Sequence, residues 1–438
     1  MRAYAPSVST SQTYHFMTTL FRCFTISFLF LLALPLAAQR KKAAPKPAQP
    51  ALSSEQLIQL YRFEDAARQL RREIEAARKE NKATDRLEAD LSRALMGSDM
   101  LRGIEEVLFI DSFKVTRSHI TEQIPLSAES GHFVSFANRQ YASSVFPAQI
   151  APIAFENDLG DRLYFAGANQ PGDPFTLRSA WKTKQGWGQS EELPGLATPE
   201  CSTFAPFVMP DGVTLYFAQQ GEGSLGGYDI FVTRYDAETQ QYLKPENLGM
   251  PFNSPANEYL LAIDEASQLG WLVTDRNQQG DTVCVYVFVP SQTRDVYEYE
   301  AYERSELLSF AKLSSVAATQ ANRQAVAQAQ ERLKAQRGRR EVRSKEQHRW
   351  VISDDKVYTE LAQFRSEAAR RIAAQLEEEE KTLGQMAERA DQLEWKLAQG
   401  DRSDRYVEEL RSLREKLPQQ QALCNELAKN MRKAELGI

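Results

Sequence analysis

Cysteine and histidine are scarce, with four of each in 438 residues. Cys23 falls in an N-terminal leader, which leaves Cys201, Cys284 and Cys424, and no Cys-x-x-Cys pair occurs. His119, His132 and His348 stand far apart in sequence. This spacing excludes an ordinary zinc site, and no metal is expected. Cys201 and Cys284 are a candidate pair in an oxidising compartment, with buried free thiols as the alternative. Catalytic signatures are missing as well. There is no Gly-x-Ser-x-Gly, His-Glu-x-x-His or Gly-x4-Gly-Lys-Ser/Thr. The carboxylates are many, but no pair is singled out for glycoside hydrolysis. We therefore assign no catalytic residue and no cofactor. Basic excess is lacking too. Fifty-three Lys and Arg face 59 Asp and Glu, a net charge of −6, which argues against nucleic-acid binding.

Long apolar runs are absent except one, residues 24–36. It comes after Arg22, precedes the small residues of "PLAAQ", and is shorter than the roughly 20 apolar residues a membrane span needs. Residues 1–38 thus read as a secretory signal cleaved after Ala38, with Met17 a candidate true start. The expected destination is the bacterial periplasm or the periplasmic face of the outer membrane. Residues 39–52 are rich in Pro, Ala and Lys and read as a linker.

Beyond residue 52 the chain reads as helical, then β, then helical again. Residues 53–103 carry apolar residues near a 3.6 period, including Leu57, Leu60, Tyr61, Ala67, Leu70 and Ile74. A break at "ENKAT" makes two helices, similar to one tetratricopeptide-type hairpin. Such a unit cannot bury its own face and needs a neighbour. Over 104–300, short aromatic and β-branched runs alternate with Gly, Pro and Asn. Three stretches repeat at about 50 residues, the spacing of propeller blades. They are "GDRLYFAG", "PDGVTLYFAQQ" with "GGYDIFVTRYD" after it, and "SQLGWLVTDR" with "DTVCVYVFVP" after it. Residues 107–155 have room for one more degenerate unit. Alternatively, the strand at 107–115 or "DVYEYE" at 295–300 completes an existing one.

The segment "DGVTLYFA…GGYDIFVTR" resembles the TolB-like propeller repeat, a relative of WD-type repeats. "PENLGMPFNSPANE" is similar to the connecting segment of Gram-negative envelope proteins that carry such repeats, some of them in secretion machinery. The resemblance is strong over 204–290 and weaker over 107–204. It implies a multi-domain, mainly β chain. Its centre would be a small propeller of four or five blades, closed or as an incomplete arc. An N-terminal helical hairpin and a C-terminal coiled-coil hairpin would flank it. Relatives place a peptidoglycan-binding domain after the propeller, and this chain has helices there instead.

Residues 301–348 form a charged helical segment. Residues 349–438 begin with the short extended "RWVISDDKVYTE" and end in two heptad-patterned helices around "GDRSD". These form an intramolecular hairpin or a dimer interface. The basic run 332–345 is a solvated helix face or a surface for an acidic partner or membrane.

The candidate surface residues are Trp187, Gly226, Gly227, Tyr228 and Asp229. Asp229 beside a glycine pair lines a ligand pocket or caps backbone amides in a turn, and turn chemistry explains it without a ligand. Trp181, Trp187, Tyr216, Tyr228 and Trp271 make a sugar-stacking platform or pack between blades. The expected function is a non-catalytic envelope scaffold, its propeller a binding platform and its coiled coil a recruiting arm. The partners would be envelope proteins, outer-membrane or secretion components among them. The alternatives are a propeller that binds carbohydrate or peptidoglycan, and a hydrolase with its site in the propeller channel.

Overall fold

A computed structural model describes residues 52–437, apart from 137–145, 148, 171, 185, 199, 348–349, 354–355 and 399–402. The signal and linker readings, and most of the "GDRSD" turn, lie outside the described residues.

Helix α1 (Ser54–Gln59) starts at a capping box in which Ser53 and Gln56 bond each other's backbone. Tyr61 then takes a left-handed φ of 59°. The single helix expected here is thereby split, and α2 (Phe63–Lys79) sets off in a new direction. It buries Phe63, Ala66, Ala67, Leu70 and Ile74, an apolar stripe at helical spacing. Helix α3 (Asp85–Arg102) packs back on it. Gly97 of α3 has no side chain because the Phe63 ring would sit 2.6 Å from its β-carbon.

Strand β1 (Leu108–Thr116) opens the β region. Three curled antiparallel sheets make up this region. The first holds β2 (His132–Ser135), β3 (Gln149–Glu156), β4 (Arg162–Ala168), β5 (Thr176–Thr183) and two short strands, β6 (Gly186–Trp187) and β7 (Glu191–Glu192). The second holds β8 (Ser202–Val208), β9 (Thr214–Gln220), β10 (Tyr228–Asp236), β11 (Gln241–Tyr242) and β12 (Glu246–Asn247). The third runs in the order β1, β15 (Thr282–Val289), β14 (Leu269–Thr274), β13 (Glu258–Asp264).

Residues 107–155 therefore make no sheet of their own among the described residues. Strand β1 joins β15 of the third sheet, whereas β2 pairs with β3, which lies in the same segment and leads through β4 into the first sheet. "DVYEYE" contributes a single bridge, Val296 to Glu105, and then a 3-10 turn.

One apolar core runs through all three sheets. Phe155 of β3 meets Phe207 of β8 edge-on at 5.1 Å, joining the first sheet to the second. Tyr228 of β10 meets Tyr259 of β13 at 6.3 Å, joining the second to the third. Buried rings of this size cost about 3–5 kcal/mol to truncate, so these contacts hold the sheets together.

The N-terminal helices dock on the sheets. Leu225 and Met250 of the β region enter the helical core, Gln59 bonds the Pro255 carbonyl at 3.0 Å, and Arg93 bonds that of Leu225. Helix α4 (Arg304–Lys312) adds Phe310, stacked on Tyr297 at 4.2 Å.

Helix α5 (Arg323–Gln347) packs Ala329 and Leu333 into the sheet core. A ribbon of β16 (Trp350–Ser353) and β17 (Lys356–Tyr358) leads to α6 (Glu367–Ala398) and α7 (Asp404–Leu436). Glu379 pairs with Gln420, and Arg389 with Glu409. Numbers fall along α6 as they rise along α7, so the two helices run antiparallel. Helix α7 buries Leu410, Leu417, Cys424 and Met431, every seventh residue, and continues through Pro418.

Candidate functional site

The "SLGGYD" loop between β9 and β10 is built on Asp229, which is fully buried. Its carboxylate accepts from the amides of Leu225 (2.8 Å) and Gly226 (3.0 Å) and from Asn247 Nδ2 (2.7 Å). Burial pushes its carboxyl up to about 7, the nearby Glu258 adds to the rise, and the three donors oppose it. A fixed carboxylate folds the loop over itself and presents Leu225 to the helical core.

The two glycines are there for close approach. A β-carbon on Gly226 would lie 1.8 Å from the Ala256 carbonyl oxygen, and one on Gly227 would lie 2.1 Å from Asn257 Oδ1. The facing segment, "PFNSPANE", is itself pinned by polar contacts. Asn253 bonds the Ile230 backbone in both directions, Oδ1 accepting at 2.7 Å and Nδ2 donating at 2.8 Å, as a neighbouring strand would. Asn257 accepts from the Tyr228 amide and donates to Asp275, which also accepts from the Tyr259 hydroxyl.

Beneath this segment lies a buried ion pair. Arg276 Nη2 meets Glu258 Oε1 at 3.0 Å, with side chains 4% and 0% exposed. Glu258 also accepts from the Ser254 amide, the Ser254 hydroxyl and the Thr274 hydroxyl. Arg276 also donates to the carbonyls of Pro251 and Phe252. Burial raises the Glu258 carboxyl against the pull of Arg276. Tyr61, at the left-handed break between α1 and α2, reaches Ser254 and Arg276, and burial lifts its phenol to about 12.

A third buried carboxylate, Asp264, lies at the far end of β13. It accepts from the hydroxyls of Ser127 (2.5 Å), Ser130 (2.6 Å) and Ser267 (2.6 Å) and from Gln336 Nε2 of α5. Burial would raise this carboxyl, but the serine hydroxyls outweigh it and hold it below its ordinary range. These partners come from segments far apart in sequence, and no local pattern marks them.

The sequence-selected residues are dispersed. Gly226, Gly227, Tyr228 and Asp229 share one turn, and Tyr228 packs between Phe204 and Tyr259. Trp187 lies elsewhere, half-buried on the first sheet with Lys182 Nζ 5.3 Å from its ring centroid. Strand alternation separates Trp187 from Trp181. Trp181 pairs with Arg162 and shares its face, whereas Trp187 pairs with Lys182, the next residue along β5, on the opposite face. No single platform contains both, and Trp271 is fully buried. Trp181 is the more open of the two, 55% exposed, with the Arg162 guanidinium 4.7 Å from its ring centroid.

Cys201, Cys284 and Cys424 are free thiols, each buried. His119 accepts or donates through Nδ1 to Thr116 Oγ1 at 2.7 Å, and its Nε2 faces Glu388 of α6 at 3.7 Å. His132 opens β2 and is exposed. Among the described residues no group of three or more His, Cys, Asp or Glu is placed to hold a metal ion. No described helix is long and apolar enough to cross a membrane. No family model, curated protein or solved structure matches the chain.

Proposed function

We propose that the chain is a non-catalytic, exported scaffold of the bacterial cell envelope that binds other proteins. In this reading the three sheets are blades of a TolB-like propeller arc, and the α6–α7 pair is a recruiting arm of coiled-coil type. One observation carries most weight. Asp229, Glu258 and Asp264 are filled by hydrogen bonds from their own chain, with three, four and four donors respectively. Carboxylates used this way set the shape of a framework: Glu258 and Asp264 have four acceptor sites taken, and Asp229, with three taken, is fully buried. The repeat pattern and the apolar run at 24–36 support the envelope setting.

A second reading, carbohydrate binding, is favoured by Trp181 alone, whose exposed indole offers a stacking face. The test of the first reading is site-specific crosslinking in the native cell from Val407 and Leu423 of α7, which are 49% and 37% exposed. A discrete set of protein adducts is expected. Adducts to glycan from Trp181, with none to protein from α7, would favour the second.

A further inference from the structure

We propose that the outer edge of β1, with the groove beside α5, docks an extended acidic segment of a partner protein by strand addition. This rests on the protein-binding reading above and names a second surface for it.

Strand β1 is the terminal strand of the third sheet, and no other described strand pairs with its outer edge. Its hydrogen-bonding direction is fixed at one end by the Arg117 amide, which donates to Asp281 and continues the β15 register. Counting back in twos, Val115, Phe113 and Asp111 bond inward to β15. Ser112, Lys114 and Thr116 then turn their backbone groups outward. The Ser112 amide agrees, since it bonds the Asp111 carboxylate and not β15. At Ile110 a bulge breaks the register, and Thr319 and Gln320 cover the backbone of Phe109. The edge is thus closed at its start, its Ser112 amide is taken by Asp111, and its first outward amide without a partner among the described residues is that of Lys114.

Beside the bulge lies a groove of about 550 Å3. Its walls are Ile110 and Asp111 on one side and Leu333, Lys334 and Arg337 of α5 on the other. Ile110 and Leu333 floor the groove from the core, each nearly fully buried. Arg337 bonds Asp111 at 2.9 Å and lies over the Phe113 ring, half-exposed. Lys114 is exposed on the strand and Lys334 on the helix. On the groove side one carboxylate, already shared with Arg337, thus faces two cations, Arg337 and Lys334, while Lys114 projects from the opposite face of β1. An extended chain here gains main-chain bonds from Lys114 and ion pairs from Glu or Asp on alternate positions. Lys114 also disfavours a second copy of β1, because a like edge brings like charge.

The probe is a dye-labelled peptide of alternating valine and glutamate, ten residues long, with a lysine-for-glutamate version as control. Its anisotropy is titrated with the full chain. The wild type is expected to bind the acidic peptide at least tenfold more tightly than the basic one. Lys114→Pro removes the outward amide without touching the β15 ladder and should weaken binding tenfold or more, while Lys114→Ala weakens it less than fivefold. The double variant K334E/R337E should also lose tenfold. Thermal melts of each variant check folding. Equal binding of both peptides, or a Lys114→Pro variant that folds and binds as wild type, overturns the proposal. So does a dimer of the full chain that Lys114→Pro abolishes, since the occupant is then a second copy. If α7 crosslinks to proteins but this peptide does not bind, the scaffold reading stands and this groove is not part of it.

Discussion

Glu258 and Arg276 form a buried ion pair at the junction of the second and third sheets, 3.0 Å apart and closed off from solvent. The other side-chain hydrogen bonds of the pair among the described residues go to the "PFNSPANE" segment or to Thr274. The pair thus holds the connector in the shape that the glycine turn packs against.

Breaking the pair should cost far more than replacing it. Glu258→Gln leaves a buried guanidinium without its counterion and should lose about 3–5 kcal/mol. The double variant E258L/R276M should lose clearly less than Arg276→Met and Glu258→Leu combined. Urea unfolding of the single and double variants checks this, and additive losses would contradict the coupling.

Gly226→Ala should be severely destabilising, by about 3 kcal/mol or more, since the new methyl meets backbone at 1.8 Å. Gly212→Ala provides the contrast. Gly212 has a left-handed φ, 67°, which Gly226 does not, but open space around it, so it should cost only about 1 kcal/mol. Thermal melts of the two variants are enough, and similar losses would contradict close approach as the constraint on Gly226.

Asp229 gives a pH dependence of defined sign. Its folded value, about 7, lies above the ordinary 3.8 because of burial. The contribution of such a group to stability is fully present below about pH 4 and is lost as pH rises through about 7. Infrared difference spectra should show a protonated carboxyl band at pH 5 that fades by pH 8 and is missing in Asp229→Asn. A band unchanged by that substitution would assign the proton elsewhere.

Glu435 behaves in the opposite way. Near the end of α7 it accepts from the amides of Arg365 and Ser366, the Tyr358 hydroxyl and Lys356. Burial acts to raise its carboxyl, but the two amides, Tyr358 and Lys356 prevail and hold it at about 2, against an ordinary 4.5. Its stabilisation is present above about pH 4.5 and lost as pH falls through about 2. Glu435→Gln should cost about 1–2 kcal/mol near neutral pH. Hydrogen exchange at the start of α6 should accelerate in that variant, and unchanged exchange would exclude the clamp.

Local pattern makes much of the architecture legible. The periodicity of α2, the alternation in β9 and β10 and the sevenfold spacing in α7 each arise from residues close in sequence. The turn role of Asp229 is also readable, because Asp beside Gly has its own turn chemistry. What stays hidden depends on distance. Tyr61 splits a helix because its phenol reaches a network built from residues 251–276, which helical periodicity does not register. Asp264 collects donors from Ser127 and Gln336, 137 and 72 residues away on either side. Strand β1 finds its partner at β15 across most of the β region, so nothing in its own neighbourhood marks the sheet it joins. Trp181 and Trp187 look alike in sequence, and only the register of β5 with β4 and β6 puts them on opposite faces.

The most direct test of the scaffold reading is crosslinking in the native envelope, from a photoreactive residue at Val407 or Leu423 in the full chain. The expected result is a small, reproducible set of protein adducts from α7 that a photoreactive residue at Leu159, 76% exposed on the first sheet, does not reproduce. No protein adduct from any of these positions, in a chain shown to be folded and exported, would contradict it.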